Sequence, residues 1–337
     1  MGVDIQAIDL DAAAKVATEA GKPVEALRQL IAANRLAPNS EREILIRDLR
    51  LNTNLYGPRT PASVGEAPTL RYEQEMPTCS MAEITSDLVR AAFAERGCIY
   101  IPGALDKGTA DTLRTAIDNA QNAWPEEQPD PRWYSQPKMA SREHAIQVAA
   151  ARDFAHRSEG TLAADSPRAM FLICDMLERT GVSALAEKYL GEAPVMSADK
   201  FMLWRVGPGD SNGGWHQDGR FLGEGMKIAS LNIWTALTDC GESAPGMDLV
   251  LDNFNHYIMA EQGSHFDWAV SDAQVDELRS RTPVVTPRFK AGDMLMFDHW
   301  FLHRTGRRPE MTDTRYAIES WFFAPSVFPV GRSAMIA

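Results

Sequence analysis

The chain has 337 residues, enough for one large domain with a smaller module beside it. Hydrophobic residues make up 45% and charged residues 24%, a balance that supports a buried core and argues against disorder. The net charge of −12 argues against nucleic acid as a partner, because a polyanion is held by a basic surface.

The first residues lack the basic and apolar regions of a signal peptide, and no apolar run approaches the ~20 residues of a transmembrane helix. A cytoplasmic location without membrane contact is therefore expected. Residues 9–55 read as alanine-rich and helical, with breaks at Gly21-Lys22-Pro23 and Pro38-Asn39. The spacing Gly21, Ala26, Ala33, Pro38 is similar to half of a tetratricopeptide repeat. Residues 1–56 are thus expected to form an N-terminal helical hairpin module. It either packs on the main domain or docks a protein partner or second subunit. Residues 57–83 hold Pro58, Pro61, Pro68 and Pro77 and read as a linker.

The main domain is expected over 84–337. Thr85 is suited to cap a helix that ends at Gly97, and Cys98–Ile101 reads as a strand. A helix is expected over Lys107–Ala123, an irregular aromatic loop over 124–143, and an amphipathic helix over Ala169–Leu190. Beyond Gly191 short apolar runs alternate with Gly, Pro, Asn and Asp clusters. They are Lys200–Val206, Ile228–Leu237, Met247–Leu251, Val284–Thr286, Asp293–Phe297 and Arg315–Phe323, with a helical insertion over Ser271–Arg281. That rhythm points to a β-sandwich or jelly roll with flanking helices, an α+β fold. The four cysteines, Cys79, Cys98, Cys174 and Cys240, show no CxxC pairing and read as reduced, buried thiols.

The chemistry concentrates in His216-Gln217-Asp218. On an extended segment residues i and i+2 share a face, so His216 and Asp218 would converge. A second histidine, His303, follows a short apolar strand, and two histidines with one carboxylate make the set that holds Fe(II) with open positions. Arg315 opens the last long strand. A guanidinium at a strand entry is costly to bury without an anion, and it pairs bidentately with carboxylates. It therefore suits the distal carboxylate of a dicarboxylic co-substrate.

These residues resemble the phytanoyl-CoA dioxygenase family of Fe(II)/2-oxoglutarate oxygenases. The match runs through His216-Gln217-Asp218, Trp234 within Leu231–Leu237, Gly292-Asp293 leading to His303, Thr305 and Arg315. The opening segment, from Ile84-Thr85 to Pro102-Gly103, is also similar, so the resemblance covers about residues 84–325. It implies a double-stranded β-helix core of jelly-roll or cupin-like type. It implies His216, Asp218 and His303 as iron ligands, with O₂ as co-substrate. Arg315 and Thr305 would bind the 2-oxoglutarate C5 carboxylate. Trp234 would line that pocket and Asn232 would offer a polar contact. The family's Pro-Gly-Ser-His turn is replaced by Glu242–Asp248 and, later, Gly263-Ser264-His265. Related halogenases lack the carboxylate ligand, so Asp218 implies hydroxylation of an unactivated C–H, with succinate and CO₂ released. Desaturation, cyclisation and epimerisation stay open.

Lys200, Arg205 and Arg220 lie near the triad in sequence and could meet an anionic group of a substrate. Trp215, Phe221 and the aromatic loop could pack on an apolar or ring-bearing one. A small metabolite or natural-product intermediate is the expected substrate. His299 and His303 are spaced as in a zinc protease helix but lack its glutamate. Two other readings are a non-catalytic scaffold that uses the N-terminal helices and a cupin-like metal enzyme without 2-oxoglutarate.

Overall fold

The computed structural model describes residues 2–53, 68–209, 213–222, 227–261 and 268–337. The Gly263-Ser264-His265 segment and residues 57–67 of the expected linker lie outside that set. In chain order the helices are α1 (Gly2–Glu19), α2 (Pro23–Leu36), α3 (Ser40–Asn52), α4 (Ser86–Arg96), α5 (Lys107–Ala123), α6 (Arg142–Arg157), α7 (Pro167–Arg179), α8 (Val182–Leu190) and α9 (Asp272–Leu278). The early strands are β1 (Arg71–Glu73), β2 (Met76–Thr78), β3 (Cys98–Ile101), β4 (Gly160–Leu162), β5 (Val195–Ser197) and β6 (Met202–Val206). The later ones are β7 (His216–Gln217), β8 (Ser230–Ala236), β9 (Gly246–Val250), β10 (Val284–Val285), β11 (Met294–Phe297), β12 (Leu302–Gly306), β13 (Arg315–Phe323) and β14 (Ala334–Ile336). None of the described helices is long and apolar enough to cross a membrane.

Local chemistry accounts for most boundaries. Gly21 sits at φ +69 and Pro23 opens α2, so a left-handed residue ends one helix and an N-terminal proline starts the next. The Asn39 and Thr85 side chains cap α3 and α4 by accepting from the amides of Arg42 and Leu88. A Ser271/Gln274 capping box starts α9. The stretch expected as one helix over Ala169–Leu190 is two, α7 and α8, because Gly181 turns left-handed at φ +83. Part of the expected linker is also a correction. Residues 71–78 form a hairpin, and Thr78 of β2 pairs in parallel with Tyr100 of β3. Its turn residues Gln74 and Glu75 both have positive φ, a conformation usually marked by Asn-Gly, so the sequence carried no turn signal.

The strands form two sheets. The larger runs β1-β2-β3-β11-β8-β13-β5-β14, with β6 added to β13 and β4 to β6. The smaller runs β10-β9-β12-β7. Side chains on β8 and β13 alternate between two environments. Leu231, Ile233, Ile318 and Phe322 pack in the cluster shared with α5 and α7. Trp234, Ala236 and Ala317 join Leu249, Leu295 and Phe297 in the space between the sheets. This is the jelly-roll arrangement expected, and its interior is where Arg315, Glu319 and Asn232 also point by alternation.

The N-terminal helices are packed onto this body. Ala14, Leu27, Leu30 and Ile46 cluster with Phe171 and Ile336. A polar seam runs beside them: Glu43, 1% exposed, accepts from Asn34 and pairs with Arg168, and Arg50 donates to the Ile336 carbonyl at 2.9 Å.

Asp293 pins the start of β11. Its carboxylate accepts from the Tyr100 hydroxyl at 2.6 Å, the Gly103 amide at 2.8 Å and the Lys290 amide at 2.7 Å. Gly292 before it has φ +98, and a Cβ there would overlap the Leu105 carbonyl. Gly292→Ala should therefore combine backbone strain with a backbone clash and destabilise the fold by more than about 2 kcal/mol. Urea denaturation would show this as a lowered midpoint at unchanged m-value, and a midpoint like wild type would refute it.

Candidate metal and co-substrate site

The pairing of β12 with β7 builds the centre. His303 lies directly opposite His216 in the antiparallel register, and their ring centroids are 4.5 Å apart. β7 ends at Gln217, and Asp218 begins a short 3₁₀ turn rather than continuing the strand. That turn still returns the carboxylate to the histidines, with His216 Nε2 3.7 Å from Asp218 Oδ1. One ligand atom from each of the three residues lies within 4.8 Å of the others, a spacing that could hold a metal ion.

The ring orientations follow from second contacts. His216 Nδ1 donates to the Gly214 carbonyl at 2.7 Å, and His303 Nδ1 donates to the Phe301 carbonyl at 3.1 Å. Each bond places the unprotonated Nε2 toward the centre, as a metal requires. Burial lowers the pKa of both imidazoles to about 4, and His303 further disfavours charge on His216. Asp218, 5% exposed, is steadied by Asn232 Nδ2, which donates to its Oδ2 at 2.9 Å.

Arg315 occupies the opening of β13 on the inward face and is 3% exposed. Its Nη1 donates to the Gly246 carbonyl at 2.9 Å, and its Nε has no partner. Among the described residues no carboxylate pairs with it, and burial lowers its pKa to about 10. Trp234 lies below, 5.8 Å from the guanidinium carbon. Thr305 follows His303 by two residues on β12 and so shares its face. Gly306 beside it pairs with Gly246, the residue whose carbonyl receives Arg315. Asn232 Oδ1 is likewise buried without a partner. A buried cation and a buried acceptor left unmet are the features a bound dicarboxylate and its surroundings would complete.

The expected substrate residues separate into two groups. Phe221 is tilted against His216 at 5.6 Å, and the Lys200 ammonium lies 4.4 Å above the Phe221 ring. Three others lead away from the triad. Trp215 is on the opposite side of its segment, 2% exposed, with its indole donating to Asp272 and stacked under Arg304. It alternates with His216, so an inward histidine forces an outward tryptophan. Arg205 bonds Asp118 and Asn122 on α5, and Arg220 lies over Tyr257 and reaches Met259. In the aromatic loop, Trp124 stacks on His156 at 4.1 Å. His299 meets Ser230 and stands outside the triad, and His256 meets Asn255.

Two nearby residues were not legible as site residues. Trp268 packs edge-on to His216 at 6.0 Å and against Phe221 at 5.3 Å. Glu319 is half-buried on β13, held by Trp204 Nε1 at 3.2 Å, and burial and then Asp218 push its carboxyl up. A charged residue at even spacing from Arg315 on a strand was the signal available for Glu319. Trp268 carried none.

The family model of phytanoyl-CoA dioxygenase (PhyH) matches residues 93–309, more than half of the chain. The chain belongs to the PhyH family. It is therefore an oxidoreductase of the iron- and 2-oxoglutarate-dependent dioxygenase class. No curated protein matches it. Among solved structures, EctD from S. alaskensis with 2-oxoglutarate and 5-hydroxyectoine is 15% identical, covers 80% of this chain and 84% of its own, and has a TM-score of 0.51. AviO1 from Streptomyces viridochromogenes Tue57 is 18% identical over 70% of this chain and 94% of its own, with a TM-score of 0.45. The carbocyclase SnoK from nogalamycin biosynthesis is 16% identical over 73% and 86%, with a TM-score of 0.47. EctD shares the fold of this PhyH-family member.

The depressed histidine pKa values carry a pH dependence. Both rings stay neutral in the folded state while the unfolded chain takes up protons below about pH 6.5. Their contribution is thus fully present above about 6.5 and is lost as pH falls toward 4. Asp298, which burial pushes up to about 6, acts in the opposite sense, so a comparison with a variant is needed. Metal-free His216→Gln should lose less stability than wild type between pH 7 and about 4.5, read from urea midpoints. Parallel curves would count against the neutral-imidazole assignment.

Proposed function

We propose that His216, Asp218 and His303 hold Fe(II), and that Arg315 with Thr305 binds the C5 carboxylate of 2-oxoglutarate, flanked by Trp234 and Asn232. Bound iron would supply O₂ activation coupled to decarboxylation of 2-oxoglutarate to succinate and CO₂. The protein's own groups do the rest. The Gly214 and Phe301 carbonyls fix the two imidazoles, Asn232 fixes the Asp218 carboxylate, and Arg315 supplies the charge that orients the dicarboxylate. The observation that carries this reading is the pairing of a three-ligand cluster with a buried arginine that has no carboxylate partner among the described residues.

The reaction we propose is hydroxylation of an unactivated C–H of a small metabolite or natural-product intermediate. Retention of Asp218 as the carboxylate ligand supports it over halogenation. Phe221, Trp268 and Lys200 form the wall next to His216 and suit a ring-bearing or anionic portion of that substrate. Arg205, Trp215 and Arg220 have no part in this reading.

Anaerobic protein with Fe(II) and 2-oxoglutarate should develop a weak visible band near ~500 nm from chelation at the open positions. Oxygenation should then yield succinate. Absence of both sinks the proposal. Arg315→Ala should keep the metal site but raise the 2-oxoglutarate concentration for half-maximal succinate release by about a hundredfold, as expected for about 3 kcal/mol lost from a buried pair. An unchanged requirement would favour a metal enzyme that does not use 2-oxoglutarate.

A further inference from the structure

Glu319 is an inward-facing acid that neither the proposed iron set nor the co-substrate pocket uses. It lies on β13 four residues beyond Arg315, on the same face. Its carboxylate accepts from Trp204 Nε1 at 3.2 Å and, weakly, from Asn232 Nδ2 at 3.4 Å. The same Asn232 amide donates to Asp218 Oδ2 at 2.9 Å, so a single side chain links Glu319 to a proposed iron ligand.

The setting of this acid is unlike that of Asp165 and Asp248, which cations hold, and of Asp293, whose carboxylate meets three neutral donors. Asp165 is bound twice by Arg152, and Asp248 by Arg304, Arg308 and Thr286. Glu319 forms no ion pair with any described lysine or arginine, and two neutral donors leave its remaining lone pairs open. An acid in the interior costs stability unless those lone pairs are met. Its position is also prepared. Gly160 of β4 pairs with Trp204, and a Cβ at Gly160 would lie 2.7 Å from the Trp204 ring. The absent side chain makes room for the indole that holds Glu319.

We propose that Glu319 is the substrate-orienting residue of the enzyme, accepting a hydrogen bond from a hydroxyl or amino group of the substrate so that a neighbouring C–H faces the metal. This rests on the iron and 2-oxoglutarate reading above. The class of substrate it selects is a small molecule with an O–H or N–H donor close to the reacting carbon, its ring face against Phe221 and Trp268. A site built to pair a donor rejects the analogue that lacks it, because the acceptor is then left buried and unmet.

The test uses the iron-loaded enzyme and matched pairs of small cyclic alcohols and amines. Each is set against its O-methyl or N,N,N-trimethyl counterpart, which has no donor hydrogen. Wild type should release succinate with the free members at an efficiency at least about tenfold above the blocked ones. In Glu319→Leu that preference should collapse to within about twofold, chiefly through a raised KM for the free members. Glu319→Gln, which keeps an acceptor but no charge, should restore the preference for alcohols and not for amines. The anaerobic visible band should persist in both variants, reporting an intact iron and 2-oxoglutarate site. A wild type that treats free and blocked members alike, responding to neither included, overturns the assignment, as does a Glu319→Leu that keeps the preference. Loss of the band in Glu319→Gln would make Glu319 a structural residue and also overturn it. Loss of the band in wild type would instead strike the iron reading itself.

Discussion

The direct opposition of His303 and His216 across β12 and β7 is the contact on which the site depends. Side chains on a strand alternate, so slipping this pair by one residue would replace His303 with Leu302 or Arg304 on the inner face. The neighbouring ladder guards against that slip. β12 also pairs with β9, where Leu249 stands opposite His303 and faces the interior, while Arg304 on the outer face is locked to Asp248 and Asp272. The outer ion pairs and the inner apolar packing thus enforce one register from both sides.

Arg315 depends on a second register. β13 is the longest of the described strands and crosses the large sheet between β8 and β6. Its inward positions run Arg315, Ala317, Glu319 and Trp321, a cation and an acid separated by one alanine. Ala317 between them packs with Trp234 and Leu249 in the cluster between the sheets. The same strand therefore presents a group suited to a carboxylate at one end and a group suited to a hydrogen-bond donor further along, with Asn232 and Asp218 beside the latter. Burial disfavours the charged form of both groups, and neither has an ion-pair partner in the described structure, so each gains from a ligand that completes it.

The sequence disclosed the strands that carry chemistry better than the elements around them. Alternation, Gly292-Asp293 and the Thr85 cap have local causes, and each was readable before any tertiary contact was known. The hairpin at 71–78 was not, because its strands are three residues long and Gln74-Glu75 is a poor advertisement for a left-handed turn. Helix α6 and strand β4 were not legible either, although the bare backbone of Gly160 on β4 leaves room for the Trp204 ring. Trp215 shows the limit of adjacency. It precedes His216 in the chain, yet the alternation that turns His216 inward turns Trp215 out to Asp272 and Arg304.

The sequence by itself determined the class of fold, the PhyH family and the small set of candidate residues for a metal and an acid. Those features rest on local periodicity and on motif order, which a linear chain carries directly. Tertiary structure decided which charged residues are partnered and which are left facing the interior. Arg205 finds Asp118, whereas Arg315 finds only a carbonyl. Glu319 shares Asn232 with Asp218, and the N-terminal helices lie against α7 and β14. These outcomes depend on approaches between residues tens to hundreds of positions apart, and on desolvation that exists only once both sheets have closed.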